Sequence, residues 1–158
     1  MPISLARPPE RPGLAAPLRR IVHTTLALQG RRPGEISIVL ADDAMLRELN
    51  RRYRGIDRAT DVLSFEYGPA PLVDGDLVVS LDRVRVQAKR YRVSDGRELA
   101  RLLVHGALHL CGLDHHRASE RAQMRAQENE VMRGVAKHVA ALEKAMGGGA
   151  RRAARAHR

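Results

Sequence analysis

The chain is poor in the residues on which several functional classes depend. It has one cysteine, Cys111, no tryptophan, three tyrosines and one phenylalanine. A single thiol excludes an internal disulfide and suits a reducing compartment, so the cytoplasm is the expected location. The scarcity of aromatics argues against an extended base-stacking platform. No apolar run approaches the length needed to span a bilayer, and Pro8, Pro9, Pro12 and Pro17 interrupt any secretory-leader core. Neither a membrane span nor a leader is expected. Acids are also in deficit, with 18 Asp and Glu against 28 Lys and Arg, for a formal net charge of +10. That imbalance points to a polyanionic partner.

What is present fits one domain. A chain of 158 residues with 44% hydrophobic content can bury a real core. All but three of the basic residues are arginine, which would also follow from a genomic bias, so their positions matter more than their number. Residues 47–58 hold Arg47, Arg51, Arg52, Arg54 and Arg58 against Glu48 and Asp57. Residues 83–101 hold Arg83, Arg85, Lys89, Arg90, Arg92, Arg97 and Arg101 against Asp95 and Glu98. If the polyanion is RNA, phosphate contacts should carry most of the affinity, since few aromatics are present to stack on bases.

The hydrophobic pattern predicts interleaved strands and helices. Short strands are expected at Ile3 to Leu5, Glu35 to Ala41, Thr60 to Tyr67 and Leu77 to Ser80, with an irregular loop from Gly68 to Asp74. Helices are expected from Leu18 to Leu28, from an Asp42 or Asp43 cap to Gly55, over Leu81 to Tyr91, and from a Ser94 cap through His109. A further polar helix should run from Ser119 to about Met146, with Met124, Val131, Val135, Val139 and Leu142 as its stripe. Gly147, Gly148 and Gly149 should end it. The fold class is therefore α+β, a small mixed sheet of about four strands packed with helices. One domain covers 1–146, and a basic, disordered tail covers 147–158.

The chemistry concentrates in Val104 to His115. His105 and His109 are four apart in an apolar stretch, so a helix projects both imidazoles from one face. Gly112 lets the chain turn and bring His115 back toward them. Three imidazoles with a fourth position left open form the ligand set of a catalytic zinc site. The spacing H-x3-H-x2-G-x2-H is that of metzincin proteases, but those carry a glutamate general base where this chain has Gly106. Cys111 reads as a small packed residue rather than a ligand, and Asp114 as a residue that orients a ligand or caps the turn.

These residues resemble the YbeY-type endoribonucleases, the bacterial rRNA maturation factors. The family pattern H-G-x-L-H-L-x-G-x-D-H is met at every specified position by residues 105–115. A second block, Y-R-G-x-D-x-x-T-D-V-L-S-F, is met by Tyr53 to Phe65, and a third, G-D followed by three apolar residues and S, by Gly75 to Ser80. Glu66 and Leu113 depart from the usual proline and tyrosine. The resemblance covers roughly residues 2–135. It implies one zinc ion per chain on His105, His109 and His115, with Arg54 at the active cleft, where its guanidinium can fork onto phosphate oxygens as a lysine cannot. An ion pair of Arg54 with Asp57 or Asp61 is the structural alternative.

The implied activity is zinc-dependent cleavage of single-stranded RNA in small-subunit rRNA 3′-end maturation and ribosome quality control. The small ribosomal subunit and an RNA-processing GTPase are the implied partners. A ribosome-assembly binding module with a mainly structural zinc is the second reading. A metalloprotease is the third, and Gly106 counts against it.

Overall fold

The computed structural model describes residues 3–5, 13–68, 71–113 and 117–156, with side chains as far as 146. In chain order the elements are β1 (Ile3–Leu5), α1 (Ala15–Leu28), β2 (Arg32–Ala41), α2 (Asp43–Arg54) and β3 (Val62–Glu66). There follow β4 (Leu72–Ser80), α3 (Leu81–Tyr91), α4 (Asp95–Leu110), α5 (Ala118–Gly134) and α6 (Ala136–Ala156). The sheet order is β1-β2-β4-β3. β1 and β4 pair parallel to β2, and β3 returns antiparallel along β4. This is the mixed four-stranded α+β arrangement the sequence pattern implies.

Strand alternation sorts side chains into two layers. Ile36, Ile38 and Leu40 of β2, with Leu77 and Val79 of β4, face the main core beneath α1, α3, α4, α5 and α6. Ala41 and Val78 face the other way, onto a small cluster closed by Leu46 of α2 and Leu63 of β3. The centre of the main layer is α4. Leu99, Leu102, Leu103, Val104, Ala107, Leu108 and Leu110 are each no more than 1% exposed. A helix apolar over most of its circumference has to be wrapped by neighbours, and α4 packs against the sheet as well as α1, α3, α5 and α6.

Local chemistry sets the helix ends. The side chains of Asp42, Ser80 and Ser94 accept hydrogen bonds from Met45, Arg83 and Arg97 N–H at 2.9, 3.2 and 3.0 Å, capping α2, α3 and α4. α4 ends in a Schellman turn. Gly112, at φ 97°, donates to the His109 carbonyl at 2.9 Å, and Leu113 donates to the Leu108 carbonyl at 3.1 Å.

Several expectations need correction. β2 begins at Arg32 and β4 at Leu72, because Arg32 and Leu72 pair in the parallel ladder that extends both strands backward. The long terminal helix is two helices, which break at Val135 after Gly134. α5 starts at Ala118 on an Arg117 cap, where Arg117 N–H donates to Glu120 at 3.1 Å, rather than at Ser119. The stop expected at Gly147 is absent, since α6 continues through the three glycines to Ala156. Each interior glycine costs about 1 kcal/mol relative to alanine, and the alanines and arginines that follow are strong helix formers.

Candidate active site

Site residues reach one place from three elements. A cleft of about 460 Å³ is lined by Arg54 from the end of α2, by Asp61, Ser64 and Glu66 on and beside β3, and by His105 and His109 of α4. Thr60 also lines it. The four-residue spacing stacks the two imidazoles as expected, with ring centroids 4.8 Å apart and planes inclined at 69°. His115, the third expected ligand, lies outside the described residues, as do Asp114 and His116. Among the described residues no three His, Cys, Asp or Glu side chains converge as a metal cluster.

His105 is held from behind. Its Nδ1 lies 2.7 Å from Glu128 Oε1 on α5, and Glu128 is 9% exposed. A carboxylate only accepts, so the matching tautomer donates from Nδ1 and carries its lone pair on Nε2. A histidine fixed in this way by a carboxylate is the usual form of a metal-binding imidazole, and imidazole nitrogens suit a late transition metal such as zinc. Sequence reading missed Glu128. The available signal was a glutamate four residues after Met124 and three before Val131, on the buried stripe of an otherwise polar helix. Replacing Glu128 by glutamine should lower metal affinity, or activity in metal-limited buffer, by roughly 10- to 100-fold. Equilibrium dialysis showing unchanged affinity would remove Glu128 from the site.

Arg54 meets neither aspartate considered for it. Asp57 is bound by Arg47 at 2.7 Å, and the Asp61 carboxylate accepts from Val62 N–H at 2.8 Å. Arg54 instead donates to the Ser64 carbonyl at 2.8 Å and lies 5.5 Å from the centroid of the Phe65 ring. These contacts occupy one donor of the guanidinium and hold its plane at the cleft. Ser64 also ties the layers together, since its hydroxyl donates to the Gly106 carbonyl at 3.0 Å and docks β3 on α4. Cys111 is half-buried against the core. Burial pushes its thiol up to about 11, and its carbonyl accepts from Arg31 at 3.3 Å. Its role is packing.

A buried helix presenting paired histidines to a cleft at the edge of a mixed four-stranded sheet defines the class of protein by fold and site. The family described as Endoribonuclease YbeY matches residues 13–136, and the chain belongs to that family. It is 43% identical over 133 residues to the endoribonuclease YbeY of Roseiflexus sp. (strain RS-1), covering 77% of this chain and 83% of the relative. It is 45% identical over 141 residues to that of Anaeromyxobacter sp. (strain Fw109-5), covering 87% of this chain and 71% of the relative. The solution structure of TM1509 from Thermotoga maritima superposes with a TM-score of 0.58 over 89% of each chain, at 23% identity. That likeness supports the fold.

Proposed function

We propose that this chain is a zinc-dependent endoribonuclease that cleaves single-stranded RNA during small-subunit rRNA maturation and ribosome quality control in the cytoplasm. Family membership supports the reaction class. The observation that carries the residue assignment is the cleft itself, which brings the paired imidazoles of α4 and the Arg54 guanidinium together. His105, His109 and His115 would hold the one zinc ion. When bound there, zinc would supply Lewis acidity toward a phosphate oxygen and toward water.

The chain's own groups do the rest. Glu128 orients His105. The Ser64 carbonyl and Phe65 ring aim Arg54, whose remaining N–H groups can fork onto phosphate oxygens as charge develops on them. The small ribosomal subunit and an RNA-processing GTPase are the partners this function would engage, with residues 147–158 adding long-range attraction to RNA.

Arg54→Lys tests the assignment, because it keeps the charge and removes the planar fork. Turnover of a single-stranded oligoribonucleotide should fall by a factor on the order of ten or more, with metal content and melting temperature retained. Full turnover in that variant would leave Arg54 without a role in the transition state.

A further inference from the structure

A cavity larger than the active cleft lies outside it. It is a groove of about 680 Å³ between α4 and α5, lined also by Tyr91 and Val93. On α5, Arg125, Asn129 and Arg133 recur at four-residue spacing and face it together. Across from them stand Arg97 and Arg101 of α4. The two carboxylates in the groove are already engaged. Glu98 accepts from Arg101 at 2.7 Å and from Gln87 at 2.6 Å, and Glu128 accepts from His105. Arg97, Arg125 and Arg133 are exposed, and no carboxylate among the described residues pairs with them.

The contrast with α2 is informative. There Arg47 is paired with Asp57, and Arg51 and Arg52 with Glu48, so much of that basic cluster neutralises itself. The groove instead brings together, from its α5 side and its α4 side, three guanidinium groups that no carboxylate among the described residues pairs. Tyr91, 55% exposed, also lines it, with the Arg90 guanidinium 5.9 Å from its ring centroid. The groove also adjoins the active cleft, because Glu128 lines the groove and His105 lines the cleft, and the two side chains are in contact. Arg97 is eight residues from His105, about 12 Å along the helix.

We propose that this groove is a second RNA-binding site. In it Arg97, Arg125 and Arg133 bind successive backbone phosphates of the strand whose scissile bond lies in the cleft. This assignment rests on the endoribonuclease reading. It gives the enzyme a preference for substrates several nucleotides long, because only such a strand reaches both sites. Recognition is through phosphate, with little sequence preference.

The test is the triple variant Arg97→Gln, Arg125→Gln, Arg133→Gln, compared with a triple lysine variant and the unmodified protein. Binding and cleavage of a single-stranded 12-mer and a trinucleotide are measured across a salt series. For the glutamine variant, the affinity for the 12-mer should fall roughly tenfold or more at low salt. The slope of log K against log salt should fall by about 2, the value for three lost single-strand phosphate contacts. KM should rise while kcat on the 12-mer stays within about twofold, and the trinucleotide should show a much smaller change in KM. The lysine variant should recover most of the slope, since the slope counts charges. Each single glutamine variant should lower it by about 0.7, an independent reading if the triple variant folds poorly.

Unchanged 12-mer affinity and slope, with the unmodified protein cleaving normally, would overturn the groove and leave the endoribonuclease reading standing. Equal losses on both substrates would overturn it too, as a general field effect. Retained RNA affinity with lost binding to small ribosomal subunits would overturn it in favour of a protein partner. An unmodified protein that cleaves no RNA would instead remove the underlying reading.

Discussion

Replacing His109 by alanine is expected to reduce single-stranded RNA cleavage by a factor on the order of a thousand, with the fold intact. His109 is the cleaner of the two described imidazoles to remove. It is partly exposed on α4, and alanine is the best helix former. Removing His105 would also strand Glu128, which is 9% exposed and accepts from His105 Nδ1. An unsatisfied buried carboxylate of that kind costs about 1–3 kcal/mol or more, so lost activity in that variant would mix chemistry with stability. Elemental analysis, thermal melting and RNA cleavage on the same His109→Ala preparation distinguish the readings. Loss of metal and of cleavage together, with the melting temperature unchanged, would support a catalytic metal. Lost metal with cleavage within a few-fold of normal would favour a binding module with a structural ion. Undiminished metal content would remove His109 from the ligand set.

How far the sequence could be read depended on the range over which each signal acts. α4 was legible almost to the residue because its determinants are contiguous, with the Ser94 cap, the apolar body, the i,i+4 histidines and the Gly112 turn all within twenty residues. Its neighbour β4 was not. Pro71 and Gly75 argue against a strand there, yet pairing with β2 extends it back to Leu72, so tertiary pairing overrides local propensity. Glu128 shows the same limit at the site. It stands 23 residues beyond the histidine it orients, and only the packing of α5 on α4 brings them together. Charge was the least legible property. Counting arginines over 47–58 overstated the available charge, since ion pairs to Glu48 and Asp57 consume much of it. The basic groove is assembled from α4 and α5, which no linear window joins.

Gly106→Glu, the change that would complete the protease-like motif, is expected to damage the fold rather than create a protease. A Cβ at position 106 would lie 2.9 Å from Leu77 Cδ2 and 3.2 Å from both Ser64 Oγ and Val62 Cγ2. The glycine lets α4 approach β3 and β4 this closely, and its carbonyl accepts the Ser64 hydroxyl that fastens the layers. Overpacking of this kind typically costs about 1–3 kcal/mol, and a carboxylate forced into the same interface adds several more unless it is neutralised or escapes to water. The sum, on the order of 4 kcal/mol or more, is a large fraction of the roughly 5–15 kcal/mol that holds a domain together. For a chain of this size that corresponds to a melting temperature lower by about 10 °C or more, or to insoluble protein. Gly106→Ala grades the effect. The atom it meets most closely is a movable leucine methyl, and alanine regains about 1 kcal/mol over glycine inside a helix, so a net loss of about 1 kcal/mol or less, read as a fall of roughly 4 °C at most, is expected. RNA cleavage should persist below the new transition, because the alanine displaces neither histidine from its face of α4. A glutamate variant that melts where the parent does would show that α4 does not rest on β3 and β4 through Gly106, and that packing does not exclude a general base at that position.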